Sequence, residues 1–235
     1  MTTMKIVAAG LVAAFLAAPA QAADVNADAF DVLGSVMATH QKEINAKQVL
    51  EGGKDKAIRY REQIIAGWWE FMQVNSAAAP GEFCAASFLR AHRLAEPGKQ
   101  DRMKDGAVVT LFGPGSTYRG ALLAFSPLSE DSAAAFPKVP SGKPVRVTLK
   151  QGNIKPATVN AIYLEVKPSG LPLIAFAVPS IEALMKGMED NWAFEVLQNG
   201  KSIVNIEWHD GLMARDELKK CLDGRPFDTA RHWRD

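Results

Sequence analysis

Two cysteines, far apart in the sequence, place the strongest constraint on how this chain can fold. Among its 235 residues, Cys84 and Cys221 are the only cysteines. A bond between them would close a loop of about 137 residues and, in the loop-entropy description, stabilise the folded state by roughly 5 kcal/mol. Two buried free thiols are the alternative. The compartment decides between the two states, because disulfides persist in oxidising surroundings.

The amino terminus indicates export to such a compartment. Lys5 precedes an uncharged apolar run at 6–18, Pro19 ends the run, and the tripeptide Ala-Gln-Ala at 20–22 offers the small residues that signal peptidase reads. The run is shorter than the roughly 20 apolar residues of a membrane span. We therefore predict a cleaved signal peptide at 1–22 rather than an uncleaved anchor, no membrane span after cleavage, and a protein that is periplasmic or secreted. Export makes a disulfide the expected state of the two cysteines.

The charge of the chain does not suggest a nucleic-acid partner. Loss of residues 1–22 removes one of the 27 basic side chains and leaves 26, against 26 acidic ones. The sequence also contains no long basic run. Nucleic-acid binding surfaces are usually rich in lysine and arginine, so we predict a partner of another class.

A helical arm is predicted at 23–66. Its apolar residues recur near helical spacing with charged residues on the other side; the apolar ones are Phe30, Leu33, Val36, Met37 and Ile44. Gly52-Gly53 interrupts this pattern before a second helical piece at 54–65. The sequence leaves three roles open for the arm: packing on the main domain, forming a homodimer, or binding another partner.

From residue 67 to 224 the pattern is typical of antiparallel β structure. Short runs rich in aromatic and β-branched residues are separated by Gly and Pro turns. Strands are predicted at 68–74, 83–89, 107–112, 118–125, 145–149, 158–166 and 173–178, and two more on either side of Asn199-Gly200. That dipeptide is a strong hairpin signal because a type I′ turn needs positive φ at both central residues. The charged segment 93–106 is predicted to be an exposed loop.

Two capped helices complete the predicted domain. Ser180 is expected to cap a short helix at 181–188, and Asp210 a final helix that carries Cys221. The predicted fold is mainly β (α+β), with an antiparallel β-sandwich or barrel-like domain, an N-terminal helical arm and a C-terminal helix. The polar tail at 225–235 is expected to be loosely held.

His209 is the residue for which the sequence most suggests chemistry. It stands between Trp208 and Asp210, and a histidine beside a carboxylate can act as a general base. However, the sequence has no Gly-x-Ser-x-Gly nucleophile motif. Neighbouring strand residues also point to opposite faces, so the two side chains need not meet. The histidines lack metal-ligand spacing. We predict no catalytic residue, metal or cofactor.

The order of these features resembles a known family. A tryptophan-led strand at Trp68 precedes the strand of Cys84, and the closing helix follows the pattern Asp210-Gly211-Leu212-x-Ala214-x-x-x-Leu218-x-x-Cys221. Over about residues 68–222 the chain resembles the small secreted proteins of α-proteobacteria grouped with the invasion-associated locus B proteins. The resemblance implies a small β-sandwich-like domain with a role at the cell envelope or in host contact, and it implies no catalytic residues.

We therefore expect an exported, non-enzymatic protein that binds another protein or an envelope component, in host contact or envelope maintenance. Its candidate binding residues are Trp68, Trp69, Trp208 and His209. One alternative is a hydrolase that uses His209 with a carboxylate. Another is a small-ligand carrier with Trp68 or Trp69 at its pocket.

Overall fold

The computed structural model describes residues 62–73, 78–94, 102–116, 118–128, 130–166 and 170–228. The predicted signal peptide and the helical arm as far as residue 61 lie outside these ranges, and so does the tail from residue 229. Residues 62–66 are helical and lead through Gly67 into the first strand.

The described chain forms a single sheet of antiparallel strands. The strands are β1 (Trp68–Gln73), β2 (Cys84–Leu94), β3 (Arg102–Phe112), β4 (Ala121–Pro127), β5 (Pro144–Gln151), β6 (Ile154–Val166), β7 (Leu171–Val178), β8 (Trp192–Gln198) and β9 (Lys201–Trp208). Their order in the sheet is β1-β2-β3-β4-β7-β6-β5-β8-β9. Besides the helical residues 62–66, the described ranges hold three helices: α1 (Glu130–Ala133), α2 (Ile181–Lys186) and α3 (Gly211–Leu222). The predicted mainly β fold is confirmed.

The sheet curls into a half-barrel. The last strand in the order, β9, packs across β2, β3 and β4 near the opposite end of the sheet. Trp69 Nε1 on β1 donates to the carbonyl of His209, just after β9, at 2.6 Å. Arg90 Nη1 on β2 donates to the carbonyl of Glu207 at 2.9 Å. These side-chain bonds join the two ends of the sheet, which gives the barrel-like form of the predicted fold.

The inside of the curl holds the main hydrophobic core, which we call the inner core. Aromatic side chains from both ends of the sheet meet there, with ring centroids 5.3 Å apart for Trp69 and Trp208 and 4.9 Å apart for Phe194 and Trp208. Ile181 from α2 and Leu218 from α3 are buried in the same cluster. The burial of these rings supplies much of the stability of the fold, because apolar surface leaves water.

Several local predictions are confirmed. Asn199 has φ 51° and Gly200 has φ 77°, as the type I′ hairpin between β8 and β9 requires. Ser180 caps α2, because its Oγ accepts a hydrogen bond from the Ala183 amide at 3.2 Å. The apolar strand predicted at 173–178 is β7, the fifth of nine strands in the sheet order, as expected of a central strand.

The segment predicted as an exposed loop at 93–106 is partly strand. β2 continues to Leu94 and β3 begins at Arg102, and the two pair with each other there. Pairing of β1 with β2 ends at Leu89, and pairing of β4 with β3 ends at Ala107. The extension is therefore a two-stranded ribbon beyond the sheet. The sequence did not predict this ribbon because its residues are charged, and backbone pairing in such a ribbon requires no apolar side chains.

The fourth strand begins later than predicted. Residues 118–120 belong to the connection after β3, and β4 runs over Ala121–Pro127. Tyr118 turns back on this connection: its carbonyl accepts from the Gly115 amide at 2.8 Å, and its hydroxyl donates to the Ala121 carbonyl at 3.2 Å. An aromatic residue that favours strands in general is thus used here to hold a loop.

The start of the predicted tail is fixed to the domain. The ring of Phe227 packs on Phe71, with centroids 5.9 Å apart. The amide of Asp228 donates to Oε2 of Glu217, a buried carboxylate on α3, at 2.9 Å. The expectation of a loosely held tail is therefore wrong for residues 225–228. Within the described ranges, no helix combines the length and apolarity that crossing a membrane requires.

Candidate functional site

The predicted disulfide is present. Cys84, at the start of β2, is bonded to Cys221 in α3, with an S–S distance of 2.02 Å and a Cα–Cα distance of 5.9 Å. The bond spans a sequence separation of 137 residues. It fastens the carboxy-terminal helix to the strand beside β1, and so fixes one wall of the cleft described below.

His209 lies at the junction of the two ends of the sheet. Its Nδ1 is 2.8 Å from Oδ2 of Asp210, and its Nε2 is 3.0 Å from the carbonyl oxygen of Ala66. The edge of its ring meets Phe88, with centroids 5.1 Å apart. Both ring nitrogens therefore have partners within the protein. In this arrangement the imidazole links the end of β9 to the segment before β1.

The role predicted for Asp210 differs from the one observed. Asp210 does stand at the amino-terminal cap of α3, but its side chain makes no capping hydrogen bond, and its backbone has φ 56°. Its carboxylate contacts His209 instead. The sequence left open whether the two side chains meet. They do meet, because β9 ends at Trp208 and strand alternation does not extend to this pair.

Two of the candidate tryptophans belong to the inner core. Trp69 is 4% exposed and Trp208 is 2% exposed. Their indole N–H groups are satisfied by backbone carbonyls, that of Trp69 by His209 at 2.6 Å and that of Trp208 by Glu189 at 2.9 Å. The structure thus brings Trp69, Trp208 and His209 together in one packed cluster, where the first and last strands of the sheet meet.

Trp68 stands apart from that cluster. It is only partly buried, and its Nε1 donates to Oε1 of Glu70 at 3.0 Å. Since successive strand residues point to opposite faces of a sheet, Trp68 and Trp69 do not form a shared platform.

A cleft opens beside the disulfide. Its volume is about 560 Å³. It is lined by Met72, Gln73, Ala78, Pro80, Cys221, Gly224, Arg225, Pro226 and Phe227. We call it the disulfide cleft. β1, the loop before β2, the end of α3 and the segment after α3 each contribute to its wall.

The loop before β2 and the segment after α3 are held against each other by close backbone packing. A Cβ atom on Gly224 would lie 2.7 Å from Cβ of Pro80, and one on Gly81 would lie 2.6 Å from the carbonyl oxygen of Leu222. Both glycines also have positive φ, 70° and 83°. Glycine is required at these positions because a larger residue would separate the two walls.

Hydrogen bonds hold the walls further. Gln73 Nε2 donates to the carbonyls of Ala79 and Glu82, each at 3.0 Å. On the opposite side, the buried carboxylate of Glu217 pairs with Lys220 and accepts from the amide of Asp228. The cleft is therefore bounded by fixed segments rather than by side chains alone.

Arg225 is the only charged residue among the described residues that line the cleft. Its side chain is 58% exposed, and Nη2 donates to Asp223 at 2.9 Å. Hydrogen bonds from Lys219 and then from Arg225 hold the pKa of Asp223 below its usual range. Asp223 thus stays ionised and orients the guanidinium group at the rim.

The described residues of the lining suit the binding of an apolar group beside an anion. Among them are no histidine, carboxylate or hydroxyl side chain, and their one cysteine is in the disulfide. Within the part of the chain that the structure describes, no group of three or more His, Cys, Asp or Glu residues is arranged to hold a metal ion.

Sequence reasoning did not find this cleft. Its walls come from positions 72–80 and 221–227, which the chain brings together only by folding. One signal was present: Phe227 is an aromatic residue in a mostly polar segment, directly after Pro226. An aromatic residue in such a segment often marks a packing or binding site.

Comparison with known proteins adds no relative. No protein-family model matches this sequence, and neither a curated protein nor a solved structure matches it.

Proposed function

We propose that this is an exported, non-enzymatic protein of the cell envelope that binds another polypeptide through the disulfide cleft. The observation that carries the proposal is the lining of that cleft, whose described residues combine apolar walls with one cationic rim residue and no reactive side chain. The part of the partner that enters is an apolar side chain next to a carboxylate.

The chemistry of the walls supports a polypeptide partner. Met72 offers a soft, adaptable apolar side chain, Phe227 offers an aromatic ring, and Pro80 and Pro226 offer rigid apolar edges. Arg225 can bind a carboxylate with two parallel N–H donors, an arrangement that selects for anions. A binding site is typically concave and largely apolar, with a few polar groups that fix orientation.

Export is supported by separate features of the chain. The segment at 1–22 has the pattern of a signal peptide. The Cys84–Cys221 bond is of the kind that persists in the periplasm or outside the cell. The resemblance to invasion-associated locus B proteins agrees with a role at the envelope or in host contact.

The test is capture of partners from an envelope extract by immobilised mature protein, with each captured protein quantified by mass spectrometry. Three forms are compared: the wild type, Arg225→Glu and Lys201→Glu. Lys201 is exposed at the β8–β9 hairpin and does not line the cleft, so its substitution makes the same charge change elsewhere. We expect at least one protein whose recovery falls about tenfold with Arg225→Glu, the loss of one charge-assisted contact. Its recovery with Lys201→Glu should equal that of the wild type.

Two results would contradict the proposal. One is equal recovery of every captured protein by all three forms, with Arg225→Glu shown to be folded by its thermal unfolding. The other is capture of nothing beyond the protein itself, together with a monomeric mass in sedimentation.

A further inference from the structure

A second apolar surface lies on the side of the sheet opposite the inner core. Its residues alternate along the strands with those of the inner core. They are Phe83, Ala85, Phe112, Leu122, Ala124, Leu164, Val166, Leu173 and Ala175. We call this surface the outer face. Every one of these residues is 8% exposed or less. An antiparallel sheet can leave one face in water, but this face is apolar and buried.

The described helices do not cover the outer face. Phe136 after α1, Ile181 of α2 and Leu218 of α3 all belong to the inner core. The partly buried apolar side chains that pack on the outer face, as far as the structure describes the chain, come from its margins: Met72, Ala78, Tyr118 and Ile162. The middle of the face therefore requires a cover from elsewhere.

The middle of the outer face is a trough that runs across the strands. A row of small residues in direct register forms its floor: Ser87, Thr110, Ala124 and Ala175. The two hydroxyl groups in this row bond to each other at 2.9 Å, so the floor satisfies its own polar atoms. Larger side chains flank the floor on each side, with Leu89 and Val108 in one row and Phe112 and Leu122 in the other.

The dimensions of the trough match a helix. The flanking rows are four residues apart along β3, or about 13 Å at the usual rise of a strand. An α-helix with its side chains is about 10–12 Å across. In the sheet, the five neighbouring strands β2, β3, β4, β7 and β6 span about 19 Å at the usual strand spacing. A floor of alanine, serine and threonine lets the axis of a helix come close to the sheet.

We propose that residues 28–46 of this same chain form an amphipathic helix that lies in the trough and covers the outer face. The apolar positions of that segment recur at helical spacing from Phe30 to Ile44. These two positions are about 21 Å apart in a helix, which matches the width of the five strands.

The connection to the described chain permits this placement. Residues 62–66 are helical, Ile64 is 2% exposed, and the chain then enters β1 beside β2. Residues 47–53 can span up to about 23 Å when extended, and residues 54–61 add about 12 Å as the predicted helix, which together exceed what the trough requires. A short tether also favours the chain's own segment over a second copy, because the local concentration of a linked segment is high.

Site-specific photo-crosslinking tests the proposal in the full exported chain. Phe30 is replaced by p-benzoylphenylalanine, a close analogue that inserts into nearby C–H bonds on irradiation. The matched control places the same group at Asp31, which belongs to the polar side of the predicted helix. We expect adducts from position 30 with peptides of β3, β4 or β7, at least about tenfold above those from position 31, since adjacent helical residues face different directions. Equal mixtures of unlabelled and 15N-labelled chains are irradiated, and the adducts should pair peptides of one label only.

Several outcomes would overturn the proposal. Adducts that pair the two labels would show a second copy in the trough, and adducts with another protein would show an external partner. Equal yields from positions 30 and 31, adducts elsewhere on the chain, or no adduct at all would also count against it. If the chain with a substituted Phe30 does not fold, as judged by circular dichroism, Met37 and Lys42 provide a second pair with the same expected contrast.

Discussion

At the scale of single residues, Glu195 shows how a cross-strand neighbour sets the state of a surface carboxylate. Lys150 on β5 lies opposite Glu195 on β8, and Nζ is 2.7 Å from Oε2. The hydrogen bond from Lys150 is the main reason that the pKa of Glu195 is lowered, and a bond with Ser202 contributes less. The pair is partly exposed, so its effect is better seen in titration than in stability.

We predict that Lys150→Met raises the pKa of Glu195 towards the ordinary value of about 4.3, as measured by NMR titration of the side-chain carboxyl. Because folding lowers this pKa, the interaction stabilises the wild type above the unfolded-state pKa, and its contribution disappears as the pH falls through the folded-state pKa. The free energy of unfolding of the variant should therefore fall less than that of the wild type as the pH drops through this range. Lys155→Met, on β6, is the control and should leave the titration of Glu195 unchanged. An unaltered Glu195 titration in Lys150→Met would show that another group sets it.

At the scale of elements, α3 is attached to the sheet in two ways. Ala214 and Leu218 bury their side chains in the inner core, and Cys221 is bonded to Cys84 at the start of β2. Gly211 begins the helix where a Cβ atom would lie 2.1 Å from the carbonyl oxygen of Glu189, so only glycine allows this approach. The helix forms one side of the disulfide cleft, and its attachment therefore determines the shape of that cleft.

We predict that the double variant Cys84→Ala and Cys221→Ala has a free energy of unfolding lower by up to about 5 kcal/mol, because the unfolded chain is no longer constrained by a long loop. Urea denaturation measures the difference. The intact wild type should weigh about 2 Da less than its reduced form, since two hydrogens are lost on oxidation. Addition of reductant should weaken the wild type and leave the variant unchanged. Two thiols that can be alkylated without reductant would refute the prediction.

At the scale of the whole molecule, the curl of the sheet depends on contacts between its first and last strands. Trp69 on β1 packs on Trp208 of β9, and it also donates to the carbonyl of His209. His209 in turn contacts Ala66, 143 residues earlier in the chain. The half-barrel has two surfaces of interest, the disulfide cleft and the outer face. Met72 of β1 lines the cleft and also packs at the margin of the outer face.

We predict that Trp69→Phe lowers the free energy of unfolding by about 1–3 kcal/mol, because it leaves a cavity and removes the hydrogen bond to the His209 carbonyl. Trp68→Phe makes the same chemical change at the neighbouring, partly exposed position. Its effect should be under about 1 kcal/mol. Denaturation in urea compares the two variants. Equal losses would mean that the contact between the sheet ends contributes little to the stability of the fold.

Features that depend on a few neighbouring residues can be predicted from the sequence. Asn199-Gly200 fixed its hairpin, because a two-residue turn needs only backbone freedom at those positions. Ser180 fixed the start of α2, because a cap acts within one turn. The alternation of apolar residues predicted the mainly β fold. The presence of only two cysteines, in a chain predicted to be exported, predicted their pairing.

Features that depend on distant residues follow only from the folded structure. The order of the strands, the contact of His209 with Ala66 and the walls of the disulfide cleft join positions that lie more than a hundred residues apart or on the two sides of a loop. The ribbon of β2 and β3 was hidden because its charged residues resemble a loop until the two strands pair. The physical reason is the same in each case. Local propensities are worth tenths of a kcal/mol per residue, whereas burial and pairing between distant segments contribute several and settle the outcome.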